Sequence, residues 1–176
     1  MNRKLLYFVL AVLLISCNEE SKVEKEIEKI NVEFDVIRFD REFADVSPQE
    51  FPALKQKYPF LFPERFSDSI WIARINDTIQ QELNTEVGKE FPDFSAEEDK
   101  LHSLFQHIEY YFPQFQPPTV ITLTSEVDYR NKVLLAEPYL FISLDTYLGE
   151  DHGFYIGIQE YLKKNFQRNQ ILPDVA

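Results

Sequence analysis

The chain has 176 residues, with 18 basic and 30 acidic side chains and a formal charge of −12. Its 16 Phe and 9 Tyr are too much apolar mass for a disordered polymer, and a sequence pI near 4.7 excludes a nucleic-acid binder, which needs a basic face for phosphates. The single cysteine, Cys17, excludes an internal disulfide framework and a cysteine-rich zinc site.

The amino-terminal residues read MNRKLLYFVLAVLLISC: Arg3 and Lys4, then an unbroken apolar run from Leu5 to Ile15. That run is shorter than the roughly 20 residues a bilayer span requires and fits the apolar region of a signal peptide. It ends in Leu14-Ile15-Ser16-Cys17, which resembles the bacterial lipobox. The resemblance implies diacylglyceryl transfer to the Cys17 thiol, cleavage before Cys17 and acylation of the new amino group, with residues 1–16 as the discarded signal. Several acyl chains at about 0.8 kcal/mol per buried CH₂ give stable anchoring. Cleavage removes Arg3 and Lys4 and no acidic residue, so 16 basic and 30 acidic side chains remain and the charge becomes −14. Residues 17–30 then form the lipidated cysteine and a charged tether. Helix is the alternative there, since Val23, Ile27 and Ile30 lie three or four apart. Glu19-Glu20 resembles the acidic sorting signals of exported lipoproteins and does not choose between inner and outer membrane.

Residues 31–176 read as one α+β domain, a helical N-terminal half followed by a small β-sheet and short helices. Val32 to Phe39 alternates as a half-buried strand does. Ser47, Pro48 and Glu50 form a capping box that opens a short helix ending near Tyr58-Pro59. The spacing of Ile72, Ile75, Ile79 and Leu83 predicts one long helix from Ile70 to about Phe91, with Trp71 and Val87 beside that face. Ser95 and Glu98 start another, carrying Leu101, Leu104, Phe105 and Ile108 inward and stopping before Pro113. Three β-branched or aromatic runs follow as strands: Thr119 to Thr124, Val133 to Ala136 and Tyr139 to Leu144. Gly149, Gly153 and Gly157 give the next loop backbone freedom. Ile158 to Phe166 reads as a short helix and Asn169 to Ala176 as the start of another. An apolar face is forming where the sequence stops, so the chain is expected to continue.

No nucleophile-and-base constellation, HExxH or phosphate loop is visible, so no catalytic residue, metal site or cofactor is assigned. His102 and His107 lie five apart, about 500° of helical rotation, and do not share a face as ligands would. The stretch LDTYLGEDHGFY is the candidate functional loop, with Asp145, Tyr147, Leu148, Gly149, Asp151 and Tyr155 as its residues. Its carboxylates suit either a hard cation or acid–base work; the bland alternative is that Asp145 caps a turn while Glu150 and Asp151 stay solvated. Lys163, Lys164 and Arg168 read as the exposed face of an amphipathic helix. Tyr110 to Pro113 reads as core or cap packing, with an exposed partner patch as the alternative.

In this order the segments FDVIRFDREF (34–43), YPF (58–60), WIARINDTIQQEL (71–83), YYFP (110–113), ITLTSEVDYRNK (121–132), LDTYLGEDHGFY (144–155) and ILPDVA (171–176) resemble the gliding-motility lipoprotein GldB family of Bacteroidetes. The resemblance implies a non-enzymatic envelope lipoprotein that works with gliding and type IX secretion proteins and is held to a lipid membrane through acylated Cys17. Family members are longer, in keeping with a chain that continues past Ala176. The element order is also similar to zincin-like metallopeptidases, whose HExxH sits on the helix after the edge strand; Ile171 to Ala176 carries no such ligands, which implies a fold lacking the metal site. The other reading is an envelope hydrolase or zincin-like metallopeptidase using the Asp145–His152 loop.

Overall fold

The computed structural model describes the backbone of residues 17–176, and side chains from residue 22 onward. The signal expected over residues 1–16 and the side chain of Cys17 lie outside the described residues. The described residues form two compact units: the segment up to Glu33 with 101–117, and residues 34–100 with 118–176.

In the smaller unit, helix α1 spans Cys17–Ile27, so the charged segment is ordered rather than a plain tether. Its three-and-four spacing explains this: Ile27 is buried, followed by buried Val32, and the Gln106 amide donates to the Ile30 carbonyl at 2.8 Å. His107 sits 3.3 Å from Glu24 and its Nδ1 lies 2.7 Å from the Ser103 carbonyl. Tyr111 and Phe112 are exposed, so the Tyr110–Pro113 run is not core packing throughout. Among the described residues no helix is long and apolar enough to cross a membrane.

The larger unit is built around a four-stranded mixed sheet, β1 (Val36–Ile37), β2 (Thr119–Leu123), β3 (Val133–Ala136) and β4 (Tyr139–Ser143), in the order β1-β2-β4-β3. β1 and β4 run parallel to β2, with Val36 beside Val120 and Ile121 beside Phe141, while β3 closes an antiparallel hairpin with β4. Val120, Ile121, Thr122, Ile142 and Ser143 are buried, as a central parallel pair requires, whereas Leu134 and Leu135 on edge strand β3 are exposed. The class is α+β.

The expected strand over residues 32–39 shrinks to two residues because Arg38 turns the chain (φ −79°, ψ 63°) into helix α2 (Phe39–Asp45). Phe39 and Phe43, four apart, then share a buried helical face. Glu50 takes both the backbone N–H and the hydroxyl of Ser47, at 3.1 and 2.6 Å. This closes a turn ahead of helix α3 (Phe51–Lys57), whose N-cap is Glu50 rather than the expected Ser47 and has no side-chain cap bond. Phe39, Phe43, Phe51, Leu54, Tyr58 and Phe62 bury one cluster against Ile121. Its rings meet edge to face, Phe51 on Phe62 at 5.2 Å and Phe62 on Trp71 at 5.0 Å, contacts that contribute about 0.5–1.5 kcal/mol each beyond area burial.

The single helix expected from Ile70 to Phe91 is two, α4 (Asp68–Ile75) and α5 (Thr78–Glu90). Asn76 donates its amide to the Ile72 carbonyl at 2.9 Å, and the Asp77 carboxylate accepts from the Gln80 N–H at 2.8 Å as a new N-cap. The break rotates Ile79 out of the core to 64% exposure, while Leu83 and Val87 stay buried. Helix α6 (Ser95–Tyr111) is as expected, entered through the Asp93 carboxylate, which accepts from the Ser95 N–H and hydroxyl. After β4, α-helix covers only α7 (Glu160–Lys163) and α8 (Ile171–Val175), with short 3₁₀ turns between.

Arg168 is not on an exposed amphipathic face. Its guanidinium forks onto Glu97 at 2.7 and 2.6 Å and donates to the Glu90 carbonyl at 2.9 Å. The Glu97 side chain is 4% exposed, and that of Arg168 is 29% exposed. Removing one partner strands a buried charge, so Arg168→Ala should lower unfolding free energy by about 3 kcal/mol. The paired change Arg168→Met with Glu97→Leu should recover most of that loss in urea titration; equal loss in both variants would count against the ion pair as the cause.

Candidate functional site

Asp145 stands just past the end of β4, in a single 3₁₀ turn over Leu144–Thr146, with no exposed surface. Both its oxygens lie 3.0 Å from the Ser125 N–H, and Oδ2 accepts from the Val127 N–H at 2.6 Å. The Ser125 hydroxyl lies 3.3 Å from the same carboxylate and accepts from the Asp128 N–H at 3.1 Å. Asp145 therefore does cap a turn, but the turn after β2 rather than the one following Asp145 itself. Burial pushes its carboxyl above the usual carboxylate range, opposed by the N–H donors of Val127 and Ser125.

The clamped turn is strained. Glu126 (φ 58°) and Val127 (φ 60°) are consecutive residues in the left-handed region, which a β-branched side chain rarely enters and which costs about 1–2 kcal/mol per residue. Arg74 and Gln80 pin the same turn from the helices. The Arg74 guanidinium donates to the Thr124 carbonyl at 3.2 Å and to Gln80 at 2.8 Å. The Gln80 amide reaches the Thr124 hydroxyl at 3.0 Å.

The rest of the candidate loop is stapled by its own tyrosines. The buried Tyr155 hydroxyl donates to the Asp145 carbonyl and accepts from the Leu148 N–H, both at 2.9 Å. The Tyr147 hydroxyl donates to Asp174 at 2.8 Å, and Lys132 also pairs with Asp174 while lying 4.9 Å over the Tyr147 ring. Burial pushes both phenols well above their ordinary range. Gly149 takes φ 104° and donates its N–H to the Phe166 carbonyl at 2.8 Å. Leu148 is buried, whereas Asp151 is exposed. Gly149, Asp151 and Leu148 line a shallow cavity of about 520 Å³ with His152 and Arg168. His152 Nδ1 accepts from the Phe154 N–H at 3.3 Å, and Nε2 lies 3.4 Å from Glu86, whose carboxyl is held low by Lys89 first and His152 second. Asp145 and His152 thus spend their polar atoms on different partners. Among the described residues no group of three His, Cys, Asp or Glu side chains is placed to hold a metal ion.

A larger concavity is lined by the strained turn itself. It is a groove of about 650 Å³ between α4, α5, Glu126-Val127 and Phe154. Phe66, Ile70 and Ile79 expose apolar surface there. Trp71 is half-buried, and its indole N–H is buried with no acceptor among the described residues. At the polar end, Arg74 lies 3.4 Å from a largely exposed Glu126 carboxylate. A continuous-helix reading of residues 70–91 assigns Ile79 to the core and hides this groove; the Asn76-Asp77-Thr78 run, a cap signature, is the signal that could have revealed it. Asp145→Asn exchanges one acceptor oxygen for an amide facing N–H donors, so it should cost about 1–3 kcal/mol in chemical denaturation and loosen the groove wall. Hydrogen exchange at the Ser125 and Val127 amides should rise with it; unchanged protection would deny the clamp.

The lipoprotein family described as gliding motility protein GldB matches residues 20–176. No curated protein matches the chain, and no solved structure does. The match takes in both compact units, the Asp145 clamp and the groove together, and the chain belongs to the gliding motility protein GldB family.

Proposed function

We propose that the protein is a membrane-anchored envelope lipoprotein of Bacteroidetes, held by acyl chains on Cys17, and a non-enzymatic component of the gliding-motility machinery linked to type IX secretion. The family match over residues 20–176 is the observation that carries this reading. The lipobox-like Leu14-Ile15-Ser16-Cys17 after an apolar run supports the anchor. Asp145 supports the scaffold role. Its carboxylate spends its acceptor capacity on holding backbone, whereas a general acid or base must present an oxygen to substrate. A scaffold acts through protein contacts, and the groove beside α4 and α5 offers apolar surface for them.

The anchor is tested by Cys17→Ala, which should move the protein from the detergent-extracted membrane fraction to the soluble fraction; unchanged partitioning refutes lipidation. Deletion of the gene should abolish colony spreading on agar, and normal spreading would refute the motility role. Stoichiometric zinc in the full-length protein, lost together with a hydrolytic activity in His152→Ala, would replace the scaffold with an envelope hydrolase.

A further inference from the structure

The groove between α4 and α5 combines features that folding stability alone would remove. Ile70 and Ile79 are 53% and 64% exposed on its lining. Its wall keeps two left-handed non-glycine residues, and the Trp71 indole N–H has no acceptor among the described residues. Strain and orphaned donors of this kind weaken a fold and collect where a surface is shaped for binding.

The chemistry of the walls selects the occupant. An extended strand needs open backbone groups to pair with. Here the Ser125 and Val127 N–H groups are taken by Asp145, that of Asp128 by Ser125, and that of Gln80 by Asp77. What the groove offers is apolar side chains, the surface that an amphipathic helix recognises through anchors three and four residues apart. The rim is net acidic: Arg74 and Glu126 offset one another as an ion pair, which leaves exposed Asp77, whose carboxylate caps α5, as the remaining charge beside the exposed Glu126 oxygens. The whole chain carries −12, which repels a second copy and favours a basic partner.

We propose that this groove docks an amphipathic helix of a partner protein, its apolar stripe on Ile70, Ile79 and Phe154 and a Lys or Arg on its flank facing Glu126 and Asp77. The proposal rests on the reading of the protein as a scaffold that acts through protein contacts. Asp145 is then a positioning residue: it holds the groove wall and does not touch the partner.

The test places photoreactive benzoylphenylalanine at Ile79 in the full-length protein in its own cells, with the same group at Leu134 on the sheet edge as control, and maps the adducts by mass spectrometry. The expected adduct at Ile79 falls on one protein segment with apolar residues at three-and-four spacing and a flanking Lys or Arg. Glu126→Lys should cut its yield roughly fivefold. Adducts on lipid, on a second copy of this chain or on a segment without helical spacing overturn the proposal, as does an Ile79 yield no higher than that of Leu134. Ile79→Glu changes an exposed side chain and should keep the fold, checked by thermal melting, while abolishing spreading in a deletion strain. If deletion stops spreading and Ile79→Glu restores it fully, the groove proposal fails and the motility reading stands. If deletion leaves spreading intact, the motility reading itself fails.

Discussion

The acceptance of two backbone N–H groups by the buried Asp145 carboxylate is the constraint on which the surrounding loops depend. Its side chain fixes the turn between β2 and β3, and its backbone carbonyl fixes the next loop through Tyr155. A buried carboxylate is costly on its own, and the local balance closes only because N–H donors converge on it. Charge-assisted bonds of about 1.5–3 kcal/mol each outweigh the strain of Glu126 and Val127. A neutral amide could not do the same, since one of its two polar ends is a donor and would face another donor. The carboxylate is required by the direction of the hydrogen bonds.

Among the described residues Asp145 is one of three buried acidic nodes, and each joins segments distant in sequence. Asp40 receives the Arg38 guanidinium at 2.9 and 2.8 Å and the hydroxyl of Thr122, which ties α2 to β2. Glu97 holds Arg168, tying the first turn of α6 to the segment before α8. Buried ion pairs add little net stability relative to apolar packing but penalise every arrangement that leaves a charge alone. In a parallel β2–β4 pair, where a one-residue slip would turn every side chain to the other face, such nodes lock register. The aromatic cluster around Phe62 supplies the non-directional stabilisation; the carboxylates supply the direction.

Strands β2, β3 and β4, the Ser47–Glu50 pairing and helix α6 were legible because their signals are local: alternation, β-branching and short polar contacts. Two of the misreadings share one cause, a periodic pattern that continues across a backbone break. Ile72, Ile75, Ile79 and Leu83 keep helical spacing on paper, yet Asn76 and Asp77 compete for the backbone and end one helix before the next begins. Likewise the alternation of residues 32–37 runs into Phe39 and Phe43, whose four-residue spacing belongs to a helix. The family resemblance was legible from the order of short segments, and the Asp145 loop from its carboxylate and glycine density. The partner of Asp145 was not, because Ser125 and Val127 show nothing in sequence that announces two donors meeting a carboxylate some twenty residues away.

The break at Asn76 also bears on why apolar surface is left open. Had α4 and α5 been one helix, Ile79 would lie on the stripe of Ile72 and Leu83 and pack inward, and no groove would form. Two caps and a strained turn instead hold an isoleucine, a tryptophan edge and an acidic rim at the surface. Burying one isoleucine stabilises a fold by about 1.5–3 kcal/mol, so leaving Ile79 exposed forgoes more than a buried ion pair adds net of its desolvation. The local geometry reaches this less stable arrangement through specific hydrogen bonds, not through absence of alternatives. An arrangement held in place at such a cost is a shaped surface, and its shape depends on Asp145 keeping the turn where it is.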